Sequence, residues 1–278
     1  MAKTRRERIL RLLGVTTLLA IARECQSAWL ITADVSSFLR LSTDIVLYRA
    51  MKVGKSWFKA RERTIRFRNG AIITYRLNRG DIQGIREVWF DQNYRLPFDL
   101  KIDRVVDLGA NIGLTSLYLA KTYGVCSIVA VEPNPANAIL TRRNLAQNGV
   151  TAHVIEAAVG PQDGFAHFSD AIDSNLGAVS NEGRAVRMIS IPTLCSEEGI
   201  GTIDLLKMDI EGGEQALLSG GIEWLINIRT IIAEFHPDRV DYPGLTERIE
   251  NEGFTWIRAG SVYRHTCDTF VRSTLMSN

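Results

Sequence analysis

The spacing of apolar residues changes character several times along this chain of 278 residues. From residue 5 to about 60, Ile9, Leu12, Leu13, Leu18, Leu19, Ile45, Leu47 and Met51 recur at helical intervals, which predicts two or three helices. Between Thr64 and Arg76 apolar and polar residues alternate on either side of Asn69-Gly70, the pattern of a β-hairpin closed by a tight primed turn. Residues 81–94 return to helical spacing and carry Trp89 and Phe90, read as core; Glu87 and Tyr94 suit either packing or a pocket. Beyond residue 100 short apolar runs end in acids: Asp107, Glu132, Glu156, Asp209 and Glu234. Helical stretches separate these runs, one opened by Pro135 and stopped by Gly149. Others fall at 215–219 and 244–252, with strand-like segments at 254–257 and 261–271. Residues 160–190 form a turn-rich excursion with short strand-like pieces.

Strands alternating with helices predict an α/β fold with a doubly wound, mainly parallel sheet. In such sheets ligands bind at the carboxyl ends of the strands, where these acids fall. The expected organisation is a helical extension over 1–62, a hairpin and helix over 63–100, and a core domain over 101–278.

Charge modifies this picture for the front of the chain. The net charge of +2 hides an asymmetry: residues 1–70 hold 15 Lys/Arg against 5 Asp/Glu, and the remainder 18 against 26. A basic front half suits contact with an anionic membrane surface, and equally a solvated face balancing an acidic domain. The apolar run from Ile9 to Ala22 is interrupted by Arg11, lacks small cleavage-site residues before Arg23-Glu24, and is too short to span a bilayer. Cys25, Cys126, Cys195 and Cys267 are scattered, with no paired motif, so neither zinc nor a disulfide framework is indicated. A cytoplasmic protein, with peripheral attachment at the inner membrane surface left open, is the expectation.

The chemistry centres on Val105-Val106-Asp107-Leu108-Gly109-Ala110-Asn111-Ile112-Gly113, a strand breaking into a helix through glycines four apart. Glycine lets backbone approach a ligand closely, and a helix start offers free N–H groups. Asp107 would weaken a pyrophosphate site and suits a neighbour that is cationic or hydroxyl-rich. Glu132, one strand–helix–strand unit later, stands where an acid accepts hydrogen bonds from ribose hydroxyls. Asn111 occupies the place of the second glycine in a dinucleotide fingerprint. That disfavours the alternative of a nicotinamide-dependent oxidoreductase; a non-catalytic accessory protein is the other alternative.

Residues 105–113, Val131-Glu132-Pro133-Asn134-Pro135, Asp204 to Glu214 and Glu234-Phe235-His236-Pro237 together resemble the FkbM family of S-adenosylmethionine-dependent methyltransferases. The resemblance spans about residues 64–260, leaving residues 1–60 outside it. It implies a class I methyltransferase fold with a seven-stranded sheet whose last strand is antiparallel. It also implies methyl transfer to oxygen on small molecules, sugars or lipid-linked glycans. The Asn/Asp-Pro-Pro-Tyr/Phe-like segment common in amino-methylating enzymes is absent, its place taken by Asp209-Ile210-Glu211-Gly212, so no nucleic acid partner is expected. Carried over residue by residue, Gly109, Asn111 and Gly113 would pass beneath the cofactor, and Asp107 would face its methionine or ribose side. Glu132 would hold the ribose, with Glu156 and Ala157 beside adenine.

Asp209, Glu211 and His236 are the candidates for taking the acceptor's proton, His236 foremost for its titration range. A divalent cation held by Asp209 with Glu234 or His236 is a minority option. Lys207 alternates away from its neighbours along the strand and is expected at solvent or in an ion pair. The excursion over 160–190 is of the kind that carries substrate contacts, and its loop 170–183 fits the family only loosely, which leaves the acceptor open.

Overall fold

A computed structural model describes residues 5–51, 61–98, 100–169, 178–180, 183–257 and 266–276. They form two compact units, residues 1–92 and 93–278. In the first, helices α1 (Arg5–Ile31) and α2 (Val35–Met51) precede a hairpin of β1 (Glu62–Arg66) and β2 (Ile72–Arg76). Helix α3 (Arg79–Ile85) continues into a π-helical turn at Arg86–Phe90. Asn78 caps α3 by accepting from the Asp81 N–H at 2.7 Å.

The hairpin turn differs from the primed turn expected. Phe67 and Gly70 donate to the carbonyls of Ala71 and Phe67, and only Gly70 of the Asn-Gly pair has positive φ, at 82°. This is a three-residue loop, a type I turn followed by a left-handed glycine. The hairpin margin also bonds to the end of α1: Arg68 N–H donates to Ile31, and Ala33 N–H to Arg66. Trp89 packs edge-on to Phe67 at 4.8 Å between centroids, a core residue as anticipated. By contrast Leu18 and Leu19 are exposed. Side chains of residues 5–15 and residues 52–60 lie outside the described set, so the expectations for Ile9, Leu12 and Leu13 are not addressed by it.

The second unit begins with β3 (Arg104–Leu108), α4 (Leu114–Tyr123), β4 (Ser127–Val131), α5 (Pro135–Ala146) and β5 (Ala152–Ile155). The excursion then organises into four short strands, β6 (Ala158–Val159), β7 (Gly164–Ser169), β8 (Ala178–Ser180) and β9 (Arg184–Ile189), in the order β6-β9-β7-β8. The chain continues through α6 (Ile191–Glu197), β10 (Ile203–Met208), α7 (Glu214–Ser219), β11 (Ile228–Phe235), α8 (Tyr242–Asn251), β12 (Phe254–Ile257) and β13 (Thr266–Arg272). The central sheet has seven strands in the order β12-β13-β11-β10-β3-β4-β5. β13 alone runs antiparallel, to both its neighbours, and the other pairings are parallel.

This is the mainly parallel, seven-stranded doubly wound sheet expected. Its central strands are apolar on both faces because helices cover both: Val105, Val106, Leu205, Leu206, Ile231 and Ile232 are all buried. Strand order reverses between β3 and β10, so the loops after β3, β4, β10 and β11 gather at the crevice beside that switch point. Most of the loop 170–183, residues 170–177 and 181–182, lies outside the described residues.

Candidate functional site

The loop after β3 is shaped by what surrounds it. Gly109 has φ +75°, and a Cβ there would lie 1.9 Å from the Asp209 carbonyl oxygen. At Gly113, φ +78°, it would lie 2.9 Å from Thr141 Cγ2. Both positions therefore require glycine for conformation and for space. Helix α5 ties the loop's carbonyls: the Thr141 hydroxyl donates to Asn111 O at 2.6 Å, and Asn144 Nδ2 to Ile112 O at 2.8 Å. Lys207 Nζ donates to Gly109 O at 2.7 Å. Four of the loop's N–H groups are also spent internally. Gly109 and Ala110 donate to Val131 O, Asn111 to Glu132 Oε2, and Gly113 to Ala110 O.

Asp107 lies beneath this loop with no exposed surface. Its carboxylate turns inward, accepting from the Ser116 hydroxyl at 2.6 Å and lying 3.1 Å from Lys207 Nζ. The cationic and hydroxyl neighbours read into the sequence are the protein's own. The register of parallel strands makes this pair, since Lys207 stands opposite Asp107 across β10 and β3. Lys207 is only 2% exposed, so the solvent half of its expectation is corrected and the ion-pair half describes it. Desolvation opposes its charge, but Asp107 and Asp209 outweigh that and raise its pKa.

Glu132 follows β4 and is held on three sides. Its oxygens accept from the N–H groups of Asn134 and Asn111, both at 2.8 Å, and from Asn137 Nδ2 at 3.4 Å. Burial still dominates and pushes its pKa up to about 7. Asn111 sits in a left-handed conformation, φ 51°, with its Oδ1 buried and lacking a hydrogen-bond partner. Past β5, Ala157 is fully buried, whereas Glu156 is largely exposed and paired with Arg142 at 2.7 Å.

The loop after β10 is the second strained turn. Glu211 has φ 56° and Gly212 φ 96°. Glu214, fully buried, pins it by accepting from the N–H groups of Ile210 and Gly212 at 2.7 and 2.8 Å. Burial first, then Asp209, raises the Glu214 and Glu211 pKa values, Glu211 to about 8. For Glu211 these outweigh the opposing pull of Arg239, 2.8 Å away. His236, after β11, places Nε2 3.5 Å from Glu211 Oε2. Tyr94 donates to Glu234 at 2.9 Å and lies 3.3 Å from Asp209 Oδ2, joining two strand ends with a residue the sequence left ambiguous.

The loops thus bring together Asp209, Glu211 and His236 on one side, and Asn111 and Glu132 on the other. Glu156 stands apart at the surface. Ligand atoms of Asp209, Glu214 and His236 lie within 4.8 Å of one another, the grouping that could receive a cation. Glu234 is not part of it, being engaged by Tyr94. Glu214 and Arg239 were missed in sequence. Glu214 was legible only as the last residue of Asp209-Ile210-Glu211-Gly212-Gly213-Glu214, and Arg239 carried no signal.

Comparison with known proteins places this site in context. The model of the methyltransferase FkbM domain matches residues 107–255. The 31-O-demethyl-FK506 methyltransferase FkbM of Streptomyces tacrolimicus is 26% identical over 69% of this chain and 88% of its own. The 2-O-methyltransferase NoeI of Sinorhizobium fredii is 28% identical over 47% of this chain and 62% of its own. A crystal structure of a methyltransferase FkbM from Methylobacillus flagellatus aligns over 93% of this chain and 60% of that one, with 14% identity and a TM-score of 0.48.

Proposed function

This chain belongs to the FkbM methyltransferase family, and from that premise we propose that it moves the methyl group of S-adenosylmethionine to a hydroxyl oxygen of a small-molecule or carbohydrate acceptor. The observation that carries the reading is the pairing of Glu132, fixed by three donors, with Asn111 Oδ1, which has no hydrogen-bond partner of its own, beside one glycine loop. Such a site suits hydroxyls and an ammonium rather than phosphates, which speaks against the nicotinamide alternative. The names of two relatives, a 31-O-demethyl-FK506 methyltransferase and a 2-O-methyltransferase, support oxygen as the acceptor atom.

When bound, the cofactor supplies a sulfonium methyl open to in-line attack. The protein's share is alignment and proton removal. Glu132, its position set by three donors, accepts from the ribose hydroxyls, and Asn111 Oδ1 accepts from a cofactor N–H or O–H. Gly109 and Gly113 keep the loop free of side chains. Ala157 packs behind the adenine side from within the core, with Glu156 at the surface beyond it. Asp107 acts from below: it neutralises Lys207, which in turn holds the Gly109 carbonyl. On the acceptor side His236 receives the hydroxyl proton at an imidazole nitrogen. Glu211, beside Nε2, orients it, and Asp209 stands near to stabilise the cation formed.

Calorimetric titration of the full chain with S-adenosylmethionine tests the first half. Binding is expected, weakened more than about tenfold in Glu132→Ala by loss of two hydrogen bonds. A well-folded wild type giving no heat overturns the reading. S-adenosylhomocysteine release against a panel of hydroxylated sugars and small molecules tests the second half. His236→Ala is expected to lose turnover while retaining cofactor affinity.

A further inference from the structure

The first unit carries a surface that methyl transfer does not use. On α1, Leu18 and Trp29 are eleven residues apart, as are Leu19 and Leu30, which stacks them along one stripe. On α2, Val35 and Leu39 lie one turn apart and form a second stripe. All six are 51–67% exposed. Along the chain the stripes flank the turn between the helices, Trp29 and Leu30 ending one and Val35 and Leu39 opening the other.

The stretch of sequence that carries them is basic. Residues 1–92 hold 18 Lys/Arg and 8 Asp/Glu. Three of those acids are buried in ion pairs with four of the arginines, Glu24 with Arg49 and Arg86, Asp44 with Arg63, and Asp81 with Arg76, which leaves 14 Lys/Arg against 5 Asp/Glu. Asp34, at the turn, is the exposed acid nearest the stripes. Arg40 and Arg63 line an open groove together with Val35, Leu39 and the buried Asp44 that pairs with Arg63, and Arg68 donates to the Trp29 carbonyl. Arg61, Arg66 and Arg68 are exposed on the adjoining hairpin.

We propose that this face docks on an anionic lipid bilayer, with the α1–α2 stripes entering the interface and the arginines meeting lipid phosphates. Apolar side chains alone would equally serve a second copy of the chain. A self-complementary pairing, however, would set this arginine-lined groove against its own likeness, and like charges oppose that. A bilayer surface satisfies the apolar stripe and the positive charge together, with Trp29 suited to the boundary. Among the described residues no helix is long and apolar enough to cross a membrane, so the attachment lies on the surface.

The test is cosedimentation of the full chain with vesicles of phosphatidylglycerol and phosphatidylcholine, against phosphatidylcholine alone. Binding is expected to the anionic vesicles and to fall as salt screens the arginines. Leu30→Glu with Leu39→Glu, both exposed positions, is expected to lower partitioning more than about tenfold while circular dichroism and melting stay unchanged. Arg61→Gln and Arg66→Gln are each expected to cost about fivefold. Equal binding to neutral vesicles, no binding to either, or an unaffected Leu30/Leu39 variant overturns the proposal. A concentration-dependent dimer broken by that variant, without vesicle binding, assigns the face to a second copy instead. Neither cofactor nor acceptor enters these measurements, so they stand apart from the methyl-transfer reading.

Discussion

Glu132 concentrates the physical conflict of the site in one side chain. Burial raises its pKa from 4.5 to about 7 although three donors favour the ionised form. Below pH 4.5 the carboxyl is neutral in folded and unfolded chains alike. Between 4.5 and about 7 only the folded state keeps the proton, so its contribution to stability falls as pH rises and levels off above. Glu132→Gln removes that slope. Across the window the stability difference is expected to move by about 2–3 kcal/mol in favour of the variant, measured by urea unfolding at each pH. The neighbouring ion pair behaves differently, because both partners are sealed. Asp107→Asn or Lys207→Met alone leaves an uncompensated buried charge and is expected to cost about 3–5 kcal/mol. The double variant should cost less than the sum, and a double-mutant cycle reads the coupling directly. The acid of this pair was visible in the sequence. Its partner was not, because Lys207 reaches Asp107 only through the register of two strands a hundred residues apart in the chain.

At the scale of elements, the two strand-to-helix loops after β3 and β10 share a design in which a left-handed residue is stabilised by side chains from elsewhere. Asn111 is held by α5, and the Glu211–Gly212 turn by Glu214. Glycine substitutions separate conformation from space. Gly70 and Gly109 have similar φ, 82° and 75°, but a Cβ meets nothing within 4 Å at the first and backbone at 1.9 Å at the second. Gly70→Ala is therefore expected to cost about 1 kcal/mol, from conformation alone. Gly109→Ala is expected to cost about 3 kcal/mol or more, with thermal unfolding as the measurement. The hairpin itself was legible from alternation around Asn69-Gly70. Its turn type was not, because the choice between a two- and a three-residue loop depends on which strand residues pair, and Arg66 pairs with Ile72. The order in the excursion was hidden for the same reason, since its pieces are too short to signal pairing by themselves.

For the molecule as a whole, cofactor binding should stabilise one unit selectively. Every proposed cofactor contact lies in residues 93–278, so saturating S-adenosylmethionine is expected to slow amide exchange in the β3–α4 and β4–α5 loops. About 2.7 kcal/mol of protection is expected at one hundred times Kd, with α1 and α2 unchanged. Local patterning by itself determined the alternation of buried strands and helices, hence a parallel sheet with acids at its carboxyl edge, because these follow from periodicity over a few residues. The motifs also carried the family. Only the tertiary structure decided which acids face inward and which face the crevice. Asp107 is paired with Lys207, Glu234 with Tyr94, Glu156 with Arg142 and Glu211 with Arg239, and Glu132, Asp209, Glu211 and His236 are the proposed site residues. A charged side chain's fate depends on partners brought near by strand order and register, and those pairings span distances along the chain that no local pattern encodes.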